Sequence, residues 1–207
     1  MQDEAGTTLT HDDPSPGGGP ADGEPDGARR EPRTPATLVP FAVVALVSLV
    51  ADQASKVWAL SSLDDGHIVP VLGDLLSLRL LRNPGAAFSI GDSFTLIMTL
   101  LAVGITVAVA VAAWRTASRR WAISLALLFG GSLGNLYDRF FREPSPGRGH
   151  VVDFIDYGGL FVGNVADIAI VGGAAVLVWL TFANIGLDGS RPQHAAGRHD
   201  DEEQADE

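Results

Sequence analysis

The sequence predicts a membrane all-α bundle of four transmembrane helices with a small extracytoplasmic β-sheet subdomain. Three observations predict it. The 207-residue chain is 46% hydrophobic, and its apolar residues are clumped rather than spread. Four apolar runs, at 36–60, 94–114, 121–137 and 165–187, approach or exceed the roughly 20 residues that span a bilayer. Between the first two lies a stretch of short β-prone runs broken by turn residues.

Charge and cysteine usage narrow the class. The net charge of −11 is misleading, because residues 1–33 and 188–207 supply ten of those negative charges. Both tails are rich in Gly, Pro, Asp and Glu and poor in apolar residues, so they read as disordered cytoplasmic segments. The core at 34–187 is nearly neutral and carries no nucleic-acid footprint. The absence of cysteine excludes disulfides, thiolate metal sites and a cysteine nucleophile. The polar residues before the first apolar run do not read as a signal peptide, and that run is long enough to stay in the membrane.

The first span, at 36–60, is preceded by Arg29, Arg30 and Arg33 and contains D-Q-A-S-K at 52–56. Asp52 and Lys56 are four apart, hence on one helical face. They read either as a stabilising ion pair or as the lining of a site or polar pathway, since ionisable residues inside an apolar run are expensive. The connection at 61–93 holds apolar runs at 68–71, 75–81 and 86–90, divided by Pro70, Gly73-Asp74 and Asn83-Pro84-Gly85. Asn-Pro-Gly is a strong turn signal. A small antiparallel sheet above the hydrocarbon is expected from this segment, because an open sheet edge cannot face lipid.

Arg115, Arg119 and Arg120 fill the turn between the second and third spans, and Arg191 and Arg198 follow the fourth. The positive-inside rule places both termini and this turn in the cytoplasm, and the connections 61–93 and 138–164 outside. Trp58, Trp114, Trp121 and Trp179 fall where interfacial tryptophans are expected.

The third span, at 121–137, runs into G-G-S-L-G-N-L-Y-D-R at 130–139. Gly130, Gly131 and Gly134 permit close helix approach. They match neither a dinucleotide nor a phosphate-loop pattern, and no strand precedes them. Asn135, Asp138 and Arg139 share one side of the helix end. Asp138 and Arg139 read as a helix-end ion pair, while Arg139 could equally hold a carboxylate network or a lipid phosphate. His150 has no Ser or Cys partner and reads as loop structure. The five histidines are scattered, three of them in the tails, so no metal site and no cofactor are expected.

Asp153 and Asp167 stand fourteen residues apart at the entrance to the fourth span, with Asp156 nearby. Two carboxylates in poorly hydrated surroundings cannot both ionise cheaply and share a proton. Such a pair can activate water and protonate a carbonyl, which hydrolyses a peptide without a covalent intermediate. The plainer reading is a loop aspartate plus a carboxylate at a helix N-terminus. Spacing alone does not choose between Asp153 and Asp156.

Five blocks taken together resemble the lipoprotein signal peptidases, the type II signal peptidases, which are bacterial membrane aspartic proteases. They are D-Q-A-S-K at 52–56, R-N-P-G-A-A-F-S at 82–89, G-G-S-L-G-N-L-Y-D-R at 130–139, V-V-D-F at 151–154 and N-V-A-D at 164–167. The resemblance covers about 36–187 and implies that Asp153 and Asp167 are the catalytic dyad. It implies that Asp52, Lys56, Asn83, Asn135, Arg139 and Asn164 shape the site or contact substrate. It further implies a diacylglyceryl-modified prolipoprotein as substrate, cut just before the lipobox cysteine near the outer leaflet, with membrane lipids as the other partner. A monomer in the bacterial cytoplasmic membrane is expected. The chain departs from the family in having Gly163 before Asn164 and a longer connection at 142–150. The competing function is a small transporter or ion-conducting protein built on Asp52 and Lys56, and a third reading is an inactive membrane adaptor.

Overall fold

Four helices account for the four apolar runs in a computed structural model that describes residues 35–63, 66–85 and 91–190. They are α1 (Pro35–Ser62), α2 (Gly91–Arg115), α3 (Arg119–Phe141) and α4 (Val165–Phe182). Among the described residues three, α1, α2 and α4, are long and apolar enough to cross a membrane. Their outward faces carry exposed Val43, Leu46, Val47, Leu100, Leu101, Val171 and Phe182. In water such faces would drive aggregation; in hydrocarbon they match the solvent.

The third helix is polar for a physical reason. α3 has 23 residues, about 34 Å at the usual rise, which is enough to cross. It is the centre of the bundle: α1, α2 and α4 all pack against it. Its Asn135, Asp138 and Arg139 therefore meet protein rather than lipid. Glycines make the crossings close, as expected from sequence. A Cβ on Gly131 would fall 2.6 Å from the Ala166 carbonyl oxygen of α4, and one on Gly134 would collide with the Asp52 carboxylate of α1.

The sheet is larger than the 61–93 segment suggests. Strands β1 (Val69–Leu72) and β2 (Leu76–Asn83) come from that segment, whereas β3 (Val151–Asp156) and β4 (Val162–Gly163) come from the connection before α4. All pairings are antiparallel, in the order β1-β2-β3-β4. The boundary drawn around 61–93 is thus corrected: hydrogen bonding between β2 and β3 merges both connections into one element. The apolar run at 86–90 lies outside the described residues. Phe154 of β3 packs with Ala59 and Leu63 at the end of α1, which seats the sheet on the bundle.

The C-terminal end also differs. The fourth run was expected to remain helical to 187, but α4 stops at Phe182, and Asn184 turns the chain with φ of 51°. The Leu187 carbonyl then accepts hydrogen bonds from the Thr116 hydroxyl and the Ala117 and Ser118 amides. Trp121, expected to serve as an interfacial residue, donates its indole N–H to the Ile185 carbonyl at 3.0 Å. Asp188–Ser190, assigned by composition to the tail, form a hydrogen-bonded turn. The remainder of both tails lies outside the described residues.

Candidate active site

The site forms where β3, the start of α4 and the ends of α1 and α3 meet. Asn164 is the N-cap of α4 and Asp167 its third residue. The Asn164 side chain accepts from the Asp167 amide at 3.0 Å, and Asp167 Oδ2 accepts from the Asn164 amide at 3.1 Å. This reciprocal capping box satisfies two orphan helix donors. The expectation of a helix N-terminal carboxylate is therefore met, but the carboxylate has a second partner: Asn135 Nδ2 donates to Asp167 Oδ1 at 3.0 Å.

Asp153 lies on strand β3, not in a loop as the 138–164 reading supposed. It is 2% exposed. Asn164 Nδ2 donates to its Oδ1 at 2.6 Å, and Asn83 Nδ2 donates to its Oδ2 at 2.8 Å. Asn164 thus touches both aspartates, one through its amide nitrogen and the other through its amide oxygen. Burial pushes Asp153 up from the ordinary carboxylate range to about 6. The Asn83 hydrogen bond opposes that rise, the nearby Asp167 charge adds to it, and Asn164 and Lys56 pull it down.

Asp156 is three residues further along β3, hence on the opposite side of the strand. Its carboxylate pairs with Arg79 at 2.9 Å and accepts from the Gly159 amide at 2.8 Å.

Behind the aspartates sits a closed charge network. Lys56 Nζ lies 2.8 Å from Asp52, 2.8 Å from Asp138 and 2.9 Å from the Asn135 side-chain oxygen. An ammonium has three hydrogens, and three acceptors surround this one. Lys56, Asp52 and Asp138 are all fully buried. Because Lys56 can only donate, the Asn135 oxygen faces it, and the Asn135 nitrogen is turned toward Asp167. The Asn135 oxygen also accepts from Asn164 at 3.1 Å.

Two residues outside the sequence-predicted set complete the network. Asp138 joins Lys56 to Arg142 and accepts from the Val152 amide at 3.2 Å. It pairs with those side chains, not with Arg139 as its adjacency suggested. Gln53 donates to Asp52 and to the Gly134 carbonyl, each at 3.0 Å. Its signal was a second polar side chain next to Asp52 within an apolar run. Asp52 Oδ1 reaches the Ala166 amide at 2.9 Å, tying α1 to the start of α4.

Arg139 acts on backbone. Its Nη1 donates to the Asn83 and Gly149 carbonyls at 3.2 and 2.8 Å. These bonds hold the Asn-Pro-Gly turn and the approach to β3, and so place Asn83 beside Asp153. Gly85 accommodates the guanidinium: its φ is +85°, and a Cβ there would fall 2.7 Å from Arg139 Nη2. The Gly85 amide donates to the Asn83 side-chain oxygen at 2.7 Å, which orients the Asn83 amide nitrogen toward Asp153.

All eight residues expected to form the site are thereby connected by hydrogen bonds or ion pairs. His150, read as loop structure, lies in the turn before β3 and donates its backbone amide to the Glu143 carbonyl at 2.9 Å. Among the described residues, no group of three His, Asp or Glu side chains is placed to hold a metal ion.

Comparison with known proteins places the chain in a family. The sequence model of the family described as "Signal peptidase (SPase) II" matches residues 44–183. A lipoprotein signal peptidase of Rhodococcus jostii is 44% identical over 82% of this chain and 86% of its own length. One from Mycobacterium tuberculosis strain H37Rv is 42% identical over 84% and 88%, and one from Leifsonia xyli 49% identical over 74% and 72%. Two solved bacterial membrane enzymes share the fold, with TM-scores of 0.61 and 0.58 at 24% and 26% identity. They cover 70% and 71% of this chain and 93% and 90% of their own. The chain belongs to the signal peptidase II family and is a multi-pass membrane aspartic-type peptidase.

Proposed function

We propose that Asp153 and Asp167 form the catalytic dyad and remove the signal peptide from diacylglyceryl-modified prolipoproteins just before the lipobox cysteine. The observation that carries this reading is Asn164, whose single amide contacts both aspartates while each carboxylate oxygen already accepts one fixed donor. One lone pair per oxygen remains for water or substrate.

The two environments divide the roles. Asp153, pushed up to about 6 by burial, holds a proton to higher pH than an ordinary carboxyl and acts in its protonated form as the acid. Asp167, at a helix N-terminus that favours negative charge, is the base. Asp167 takes a proton from water as the water oxygen bonds to the scissile carbonyl carbon. Asp153 protonates the carbonyl oxygen. On collapse, the C–N bond breaks, the proton on Asp167 passes to the departing amine, and Asp153 recovers its proton from the diol. Water is consumed and both carboxyls return to their starting states.

Asn135 and Asn164 hold the pair, Asn83 and Arg139 hold the sheet side, and Asp52 and Lys56 fix Asn135 from behind. The polar-pathway reading of Asp52 and Lys56 gains nothing from a network whose ammonium is fully buried with three acceptors around it. The arginine pattern supports cytoplasmic termini and a site at the extracytoplasmic edge, where a lipidated peptide can enter sideways with its acyl chains still in the bilayer. We take the working unit to be a monomer.

The test is cleavage of a synthetic diacylated prolipoprotein by the purified protein. Asp153→Asn and Asp167→Asn should each lower turnover by about 10²–10⁴-fold or more, while Asp156→Asn stays within a few-fold. Near-normal turnover in either dyad variant, or loss in Asp156→Asn matching theirs, rejects the assignment.

A further inference from the structure

The sheet has two unlike faces at its inner strands. Leu81 pairs with Asp153 and Asn83 with Val151, while Arg82 between them pairs with Val152. Side chains alternate along a strand. Asn83 and Asp153 therefore share the face of the dyad, and Arg82 and Val152 share the other. His150 continues the second set.

That second face closes one side of an open cleft of about 460 Å³. Its other walls are Leu60, near the end of α1, and Phe141, Arg142 and Glu143, where α3 runs out. Arg82, Arg142 and His150 thus line the cleft together with a single acid, Glu143. Arg142 is held in place by its Nε bond to Asp138 at 2.5 Å, which uses one of its five donors. Helix C-termini would ordinarily repel an anion. Here that end is partly covered: the Asp138 carbonyl accepts from the Arg142 amide and the Arg139 carbonyl from the Gly147 and Gly149 amides, and just beyond the helix the Glu143 carbonyl accepts from the His150 amide.

Phe141 is 74% exposed and packs in a tilted arrangement on Tyr137, one turn earlier on α3, with ring centroids 4.8 Å apart. Cationic groups where the helices end, next to exposed aromatic rings along one of those helices, repeat the order of a phospholipid: charged headgroup, then apolar chain. This favours a lipid over a free anion.

We propose that this cleft binds the phosphate of an anionic phospholipid headgroup, with the acyl region lying along Tyr137 and Phe141. The site is on the opposite face of the sheet from Asp153 and does not depend on the peptidase reading.

Lipid retention tests it without measuring cleavage. The full-length protein is released from vesicles of equal phosphatidylglycerol and phosphatidylcholine, and bound lipids are counted by native mass spectrometry. Phosphatidylglycerol should be retained preferentially, and Arg82→Gln should weaken retention about fivefold, the scale of one basic residue at an anionic surface. His150→Gln should weaken it less. Glu143→Gln should strengthen it, a gain that a misfolded variant cannot produce. In detergent, short-chain phosphatidylglycerol should raise Tm more than inorganic phosphate at equal concentration. Equal retention of the two lipids, no gain in Glu143→Gln, or equal protection by inorganic phosphate overturns the proposal.

Discussion

Asn164 donates to Asp153 at 2.6 Å from the N-cap of the helix that carries Asp167. The same side chain accepts from the Asp167 amide through Oδ1, so a change at this amide acts on the helix cap and on Asp153 together. Asn164→Asp keeps an N-cap acceptor but sets a second negative charge against Asp153. Like charges disfavour ionisation, so Asp153 should hold its proton to higher pH. The alkaline limb of kcat/KM should move upward, with lower maximal activity. An unmoved limb in this variant would separate Asp153 from the titration that controls turnover.

The wild-type profile follows from the same group. Asp153 is raised to about 6, mainly by burial. As the acid of the dyad it must be protonated, so kcat/KM should fall as pH rises through an apparent pKa of about 6, a value belonging to the coupled pair. Stability has the same sign. A carboxyl whose folded pKa lies above its unfolded value near 4 contributes most below the unfolded pKa, and that contribution is lost as pH rises through about 6. Asn83→Ala removes a hydrogen bond that lowers Asp153, so it should shift the limb to higher pH. Activity measured from pH 4 to 9 on both proteins decides this.

Lys56→Met leaves two buried carboxylates, Asp52 and Asp138, without their shared ammonium. Removing one side of a buried ion pair costs about 3–5 kcal/mol. Asp52→Asn in the Lys56→Met background should recover part of that loss, because one stranded charge is gone. Thermal unfolding in detergent reads both. A loss below about 1 kcal/mol would mean the network is not closed as described.

Gly134→Ala forces a methyl group into the Asp52 carboxylate at the α1–α3 crossing. The expected cost is about 1–3 kcal/mol, the range for overpacking, with a matching fall in turnover as α1 carries Lys56 away from Asn135. Gly104 of α2 has open space around its missing Cβ. Gly104→Ala should be neutral or slightly stabilising, since alanine favours a helix by up to about 1 kcal/mol over glycine. Equal effects at the two sites would remove close approach as the explanation.

The four helices were legible because uninterrupted apolar length is a local property, and a backbone in hydrocarbon must satisfy its own hydrogen bonds as helix. The Asn-Pro-Gly turn and the glycines of α3 were legible for similar local reasons. The residues now connected around Asp153 and Asp167 came from resemblance across five separated blocks, since no local pattern ranks Asp153 above Asp156. Strand alternation separates those two, and it becomes visible only once β3 pairs with β2, whose Asn83 bonds Asp153 from 70 residues away.

By itself, the sequence determined a membrane protein with apolar spans, acidic tails and a short list of costly polar residues. The tertiary structure alone decided their pairings: Asp138 with Lys56 and Arg142, Arg139 with two backbone carbonyls, and Asn164 with both aspartates. The physical reason is range. Apolar length and turn chemistry act within a few residues. A hydrogen bond is chosen by whichever donors and acceptors the helix crossings and strand register bring within about 3 Å.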